Sequence, residues 1–243
     1  MRRAALLPVV LAAGCGAGEQ QAAPPAPTPS PFAAVEHVER PAAPAEPRWS
    51  TARVTRRTAL RARPGGRVVA RIGTRTEFGS PRVLGVTGRR GRWLRVIASE
   101  RPNGRAAWIA AAAARLGATD VSIRIDRSRR RLTVRRGERV LRRLPVAVGR
   151  PGTPTPLGRF AVTDRLHSNR ADSPYGCCAV ALSGHQTKLL EGWPGGDRLA
   201  VHGTPNEESV GEAISLGCLR ARRRDMRMLM RAVPLGAPVF IRA

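Results

Sequence analysis

The chain has 243 residues, room for one large domain or two small ones, and its 43 Lys+Arg against 17 Asp+Glu leave a formal net charge of +26. Nearly all of that positive charge is arginine, Lys188 being the only lysine, and the arginines run through every segment with only short clusters such as Arg129-Arg130-Arg131 and Arg222-Arg223-Arg224. So even a spread, beside abundant Ala, Gly and Pro, reads as the imprint of a GC-rich coding sequence. It argues against nucleic acid as the partner and leaves an anionic wall polymer or lipid surface compatible with the field. No stretch reaches the ~20 consecutive apolar residues that a spanning helix needs.

The N-terminus has the form of an export segment. Arg2-Arg3 is a positive start, Ala4 to Ala13 an apolar run, and Leu11-Ala12-Ala13-Gly14-Cys15 resembles a bacterial lipobox, departing from it at Ala12, where Leu is commoner. The resemblance implies a signal peptide over residues 1–14, lipidation of Cys15, and a membrane partner reached through that anchor, at the outer face of the cytoplasmic membrane. Residues 15–48 are rich in Pro and Ala, as in Ala22-Ala23-Pro24-Pro25 and Pro41-Ala42-Ala43-Pro44, and are expected to form an extended spacer that buries no core.

From residue 49 to 117 the texture changes to short strands with turn punctuation. Val68 to Gly73 follows Pro64-Gly65-Gly66, and Val83-Leu84-Gly85-Val86, Trp93-Leu94-Arg95-Val96 and Ala107-Trp108-Ile109 follow at short intervals. Such spacing predicts a small β-barrel. The order of Leu60-Arg61-Ala62-Arg63-Pro64, Gly91 to Val96 and Gly104 to Ile109 resembles a bacterial SH3-like domain, in which Trp93 and Trp108 are read as core aromatics.

Residues 119–243 read as a second, mostly β domain. Val121-Ser122-Ile123-Arg124-Ile125 alternates as a half-buried strand does, Leu132-Thr133-Val134 repeats the pattern, and Gly137-Glu138 turns the chain into Val140 to Val148; Phe160-Ala161-Val162 and Val239-Phe240-Ile241 add strands. One helix is predicted, opened or capped by Asp225, with Met226, Leu229, Met230 and Val233 on one face and Pro234 and Gly236 as its stop.

Three landmarks in this second domain stand in a fixed order: Thr153-Pro154-Thr155-Pro156-Leu157-Gly158-Arg159-Phe160, Val201-His202-Gly203-Thr204, and Ser215-Leu216-Gly217-Cys218-Leu219-Arg220. A thiol is mostly protonated at neutral pH and only its thiolate attacks, so a nucleophilic Cys218 needs a neighbouring base, for which His202 is the candidate. Gly217 would let the chain turn tightly and leave backbone N–H groups for an oxyanion. Arg220 would add positive potential, favouring thiolate and drawing in a substrate carboxylate. The residue that orients His202 is not named by the sequence, since a backbone carbonyl would serve.

The three motifs resemble the L,D-transpeptidase catalytic domain of the YkuD type, with Leu216 standing where that family often has His. The resemblance implies a mainly β fold: a small SH3-like barrel followed by a YkuD-type β-sandwich with one or two short helices. It further implies a catalytic set of Cys218, His202 and Gly217, substrate contacts from Ser215, Arg220, Thr204 and Gly203, and no cofactor. Peptidoglycan stem peptides are the implied partner of a monomeric enzyme that forms 3–3 cross-links by acyl transfer. The neighbouring readings are an L,D-carboxypeptidase, a transferase attaching protein to the wall, and a non-catalytic wall-binding lipoprotein. No CxxC-like pairs are present, so no metal site is expected. Tyr175 and His185 are read as peripheral, and Cys177 and Cys178 as cysteines that do not bridge each other but could find other disulfide partners.

Overall fold

The computed structural model of the chain describes residues 48–170, 172–189 and 196–243. The expected signal segment 1–14, Cys15 and all of the spacer but Arg48 lie outside the described residues. Among those described, no helix is long and apolar enough to cross a membrane.

The first half is a single seven-stranded antiparallel sheet. Its strands are β1 (Trp49–Val54), β2 (Thr58–Arg61), β3 (Val68–Ile72), β4 (Val83–Arg90), β5 (Trp93–Ile97), β6 (Ala107–Ala110) and β7 (Ala114–Thr119), in the order β3-β2-β6-β5-β4-β1-β7. The β4–β5 hairpin has only Gly91 and Arg92 between its strands, and Gly91 takes the positive φ of 53° that such tight turns demand. Alternation then decides the core: Leu60, Leu94, Val96, Ala107 and Ile109 are fully buried. Trp93 and Trp108 occupy the intervening positions and are only half-buried, so they are not the core aromatics expected. Arg61 and Arg92 instead lie over the Trp93 ring, 5.9 and 6.0 Å from its centroid.

The second half is built on an eight-stranded mixed sheet. In chain order come β8 (Val121–Asp126), β9 (Arg131–Arg136), β10 (Arg139–Pro145), β11 (Val148–Gly149), β12 (Gly158–His167), β13 (Cys178–His185), β14 (Arg198–His202), β15 (Ala213–Ser215), β16 (Leu219–Arg220), α1 (Arg223–Ala232) and β17 (Pro238–Arg242). Their order across the sheet is β10-β9-β8-β17-β12-β13-β14-β16, while β11 and β15 pair separately and in parallel. The C-terminal β17 inserts between β8 and β12, parallel to the first (Val239↔Ile123) and antiparallel to the second (Phe160↔Val239). The mainly β architecture with one α-helix is as the sequence predicts.

Two local features differ from expectation. Strand β13 is buried on both faces, with α1 packed against it, so its CAVALSGH run carries apolar residues without the period-two signature that marks a half-exposed strand. Helix α1 begins two residues before Asp225, behind an N-cap Arg222 whose side chain caps nothing; Asp225 is a buried first-turn residue. The free N–H of Arg223 is taken by Glu207, whose carboxylate accepts it at 2.7 Å from a distant loop. Met226, Leu229, Met230 and Val233 enter the core as the helical period requires.

The described residues from Arg48 onward belong to one compact unit, and specific bonds join its halves. The Asn103 side chain holds the backbone of His185 at both ends, accepting its N–H at 2.9 Å and donating to its carbonyl at 2.6 Å. The His185 ring lies between the Ser99 carbonyl (2.5 Å) and the Asp197 carboxylate (2.9 Å). Thr76 donates to the buried Asp164, and Trp49 stacks tilted on Phe240 with centroids 5.5 Å apart. Gly85 has its Cα where a Cβ would press on Ala161 at 3.2 Å, so the sheets approach closely there.

Candidate active site

The site is assembled at the edge of the second sheet. β14 and β16 run parallel with Val201 opposite Leu219 and His202 opposite Arg220. Cys218 is the residue before β16, and its sulfur reaches back across the pair to the Arg198 carbonyl at 3.6 Å. Residues two apart on a strand share a face, so this register directs Cys218 and Arg220 to the side of the sheet that His202 occupies. Sixteen positions of sequence therefore close because the Cys218 turn enters a strand parallel to the one that ends in His202.

His202 is buried, and its Nδ1 lies 2.6 Å from the carbonyl oxygen of Gly203. A carbonyl only accepts, so Nδ1 carries the proton and Nε2 keeps its lone pair. The orienting group that the sequence could not name is thus the adjacent backbone carbonyl. Burial pushes the imidazole pKa down to about 4, the Gly203 hydrogen bond acts in the opposite direction, and the charge of Arg220 adds to the lowering. The ring is neutral at neutral pH, as a proton acceptor must be. Burial raises the Cys218 thiol above its ordinary pKa, while a backbone hydrogen bond from Ala200 and the charge of Arg220 pull it down. The resting pair is thus thiol and neutral imidazole rather than an ion pair.

The turn carrying Cys218 is braced at each of its four carbonyls by a side chain. Thr153 Oγ1 donates to the Ser215 oxygen (3.2 Å), Gln186 Nε2 to Leu216 (2.8 Å), Thr155 Oγ1 to Gly217 (2.8 Å) and Ser215 Oγ to Cys218 (2.5 Å). Gln186 also reaches the Thr153 and Pro154 oxygens at 3.2 and 3.3 Å, and Thr155 accepts from Gly149 N–H at 2.8 Å. The Thr-Pro-Thr-Pro landmark is, in physical terms, a clamp on the Cys218 turn. Gly217 is obligatory at φ 122°, and a Cβ there would overlap the Gln186 amide.

Two expected roles change. Ser215 is nearly solvent-free, donates its one hydroxyl hydrogen to the Cys218 carbonyl and accepts from Gly217 N–H at 3.0 Å, so it shapes the turn and its hydroxyl hydrogen is already engaged. The same bond occupies the Gly217 N–H, which is therefore not a free oxyanion donor. Thr204 is engaged within its own loop, bonding both the N–H and the carbonyl of Asn206 at 3.2 Å. With Gly203, Thr204 lines a cavity of about 520 Å³ beside the site, together with Ser168, Arg170, Cys177 and Arg223. Gly203 is there for close approach: its N–H donates to the Cys178 carbonyl at 3.0 Å, and Gly176, at φ 61°, packs its backbone directly on Gly203 and Thr204. Arg220 stands opposite His202 in the β14–β16 register, where its charge acts on both His202 and Cys218.

Four residues acquire a place that the sequence did not assign. Tyr175 packs edge-on against the His202 ring, centroids 5.0 Å apart at 78°, and its phenol is raised in pKa by burial and by the charge that Cys218 carries when it ionises. Being the only tyrosine in the chain was its one available signal. Gln186 had none, because its partners come from separated segments. Cys177 and Cys178 are joined in a disulfide with each other, against expectation. They meet where a turn runs into β13, so the strand alternation that sends neighbours to opposite faces is not established there. Cys218 is left as the free thiol among the described residues, and no group of three or more His, Cys, Asp or Glu among them is placed to hold a metal.

The pattern of the YkuD family, described as the L,D-transpeptidase catalytic domain, matches residues 120–241. The chain belongs to this family. It is 33% identical over 110 residues to the Bacillus subtilis protein named as L,D-transpeptidase YkuD, covering 45% of this chain and 58% of that one. It is 31% identical over 119 residues to the Bacillus licheniformis protein of the same name, covering 49% and 64% of the two chains. The chain thus spans less than two thirds of the length of these relatives. An L,D-transpeptidase structure from Mycobacterium tuberculosis H37Rv aligns over 56% of this chain and 64% of its own, with 22% identity and a TM-score of 0.43.

Proposed function

We propose that the chain is a peptidoglycan L,D-transpeptidase in which Cys218 is the nucleophile and His202 the general base. The observation that carries this reading is a thiol on a turn braced at every carbonyl, next to a strand ending in a neutral histidine whose Nδ1–H is fixed by Gly203. His202 Nε2 takes the Cys218 proton as sulfur attacks the carbonyl of the third residue of a tetrapeptide stem. The carbon–nitrogen bond to the terminal D-amino acid then breaks, and the leaving amine receives that proton from His202. A side-chain amine of a second stem attacks the resulting thioester, loses its proton through His202, and displaces the thiol, leaving a 3–3 cross-link. Arg220 adds positive potential that favours the thiolate. Leu216, in place of the family's His, contributes only a backbone carbonyl to the turn.

The rest of the chain is read in the same setting. Cys15 is the lipid-bearing N-terminus of the mature protein, residues 15–48 are the tether, and the sheet over 49–117 is an SH3-like wall-binding module on a monomer at the outer face of the cytoplasmic membrane. The decisive experiment incubates the full chain with purified tetrapeptide muropeptide and reads the products by mass. Release of the D-amino acid with dimer formation is expected, and Cys218→Ala should abolish both. Turnover by that variant at the wild-type rate would remove the assignment.

A further inference from the structure

Between the two sheets lies a second cavity, of about 150 Å³, whose lining includes neither Cys218 nor His202. Arg95, Arg101 and Arg105 reach it from the first half and Arg159 from β12, and no Asp or Glu lines it. The Nε–H groups of Arg101 and Arg159 are buried without a hydrogen-bond partner from the protein; one other buried side-chain N or O atom among the described residues, on Asp164, shares that condition. Arg159 is packed behind by the Trp49 and Phe240 rings, 5.5 and 5.4 Å from their centroids. Burial, and then the charge of Arg95, holds Arg159 below its ordinary pKa.

A guanidinium does not give up its proton to escape such a place, so a buried Nε–H with no protein acceptor, beside a like charge, favours an acceptor that enters the cavity. Arginine abundance alone does not explain the arrangement. The arginine-lined cavities at Arg136 and Arg124 each include an aspartate, Asp120 or Asp126. The hollow at Arg129 and Arg143 also lacks an acid but strands no buried donor. Here two arginines that each carry a stranded donor line one small space from opposite halves of the molecule, with the exposed Arg95 and Arg105 beside them.

We propose that this cavity is a binding site for a phosphate group. Guanidinium donors arriving from several directions suit a tetrahedral oxyanion with acceptors on every side better than a planar carboxylate. The cavity has space for one such group, and an occupant would link the two halves.

Thermal unfolding of the full chain in inorganic phosphate against sodium chloride, at equal pH and ionic strength, tests this. Phosphate should raise the midpoint by about 2–4 °C beyond chloride. The Arg101→Gln/Arg159→Gln double variant should lose that extra rise, whereas Arg90→Gln, on a hairpin outside the cavity, should keep it. No excess over chloride in the wild type, or an unchanged excess in the double variant, overturns the proposal. Should the double variant fail to fold, Arg105→Gln at the exposed rim should weaken phosphate binding by about tenfold in a phosphorus-NMR titration; unchanged binding overturns it equally. A rise with dimethyl phosphate would assign the site to a phosphodiester on a polymer or lipid headgroup, and a rise with inorganic phosphate alone to free phosphate. Acetate matching phosphate would overturn the phosphate class.

Discussion

At the residue scale the reactive groups are poised but uncharged. Exposure alone does not make a thiol fast, and Cys218 is the one free thiol among the described residues once Cys177 and Cys178 pair with each other. A carbapenem should therefore form one adduct, mapped to Cys218 by peptide mass, and His202→Gln should slow its formation by at least ~10²; a label on Cys177 or Cys178 would mean that the wrong sulfur had been chosen. His202 also gives a pH signature. Its folded pKa of about 4 lies below the ordinary 6.5, so between those values the unfolded chain binds a proton that the native chain refuses. Its contribution is complete above pH 6.5 and is lost as pH falls toward 4, a difference on the order of 3 kcal/mol. Urea unfolding of wild type and His202→Gln across this window should show the wild type losing more stability, and parallel curves would refute the buried neutral state.

At the scale of elements, the proposed catalysis rests on how the Ser215–Cys218 turn is held. Gln186 is a positioning residue: one amide binds Leu216 of the turn and Thr153 and Pro154 of the clamp. Gln186→Ala leaves these carbonyls without their donor in a buried place, which costs about 1–3 kcal/mol. Gln186→Glu sets a carboxylate against carbonyl oxygens and should be worse. The expected result is a fall in kcat with KM little changed and slower carbapenem labelling of Cys218, in the order wild type, Ala, Glu. A loss of stability with labelling intact would reduce Gln186 to a structural residue. The flanking Gly217 explains why the clamp can come so near, since a side chain there would occupy the space of the amide.

At the scale of the whole molecule, the first half bears on the site through the paired strands β13 and β14. Asn103 grips the backbone of His185, the residue before Gln186, while Arg198, whose carbonyl accepts from Cys218, pairs through its side chain with Glu77. Asn103→Ala removes two bonds across the halves and should lower the melting midpoint by roughly 2–6 °C, with a measurable slowing of Cys218 labelling. Unchanged labelling in a destabilised variant would separate the halves functionally.

What the sequence determined by itself was whatever has a local cause. Alternation along Val121–Ile125, the 3.6-residue period of Met226 to Val233, and the ordered His-Gly-Thr and Gly-Cys motifs pointed to the mainly β class, the helix and the two side chains proposed to react, because periodicity and motif are properties of neighbours. Tertiary structure alone decided the rest. β13, buried on both faces, has no period to read; the tryptophans turned outward because Leu94 and Ile109 took the inner register; and Ser215 became a turn brace once its hydroxyl met two backbone partners. Gln186, Tyr175 and the Gly203 carbonyl reached the site through pairings between strands and loops far apart in the chain. Such pairings are settled by burial and backbone hydrogen bonding over the whole sheet, which no single stretch of sequence records.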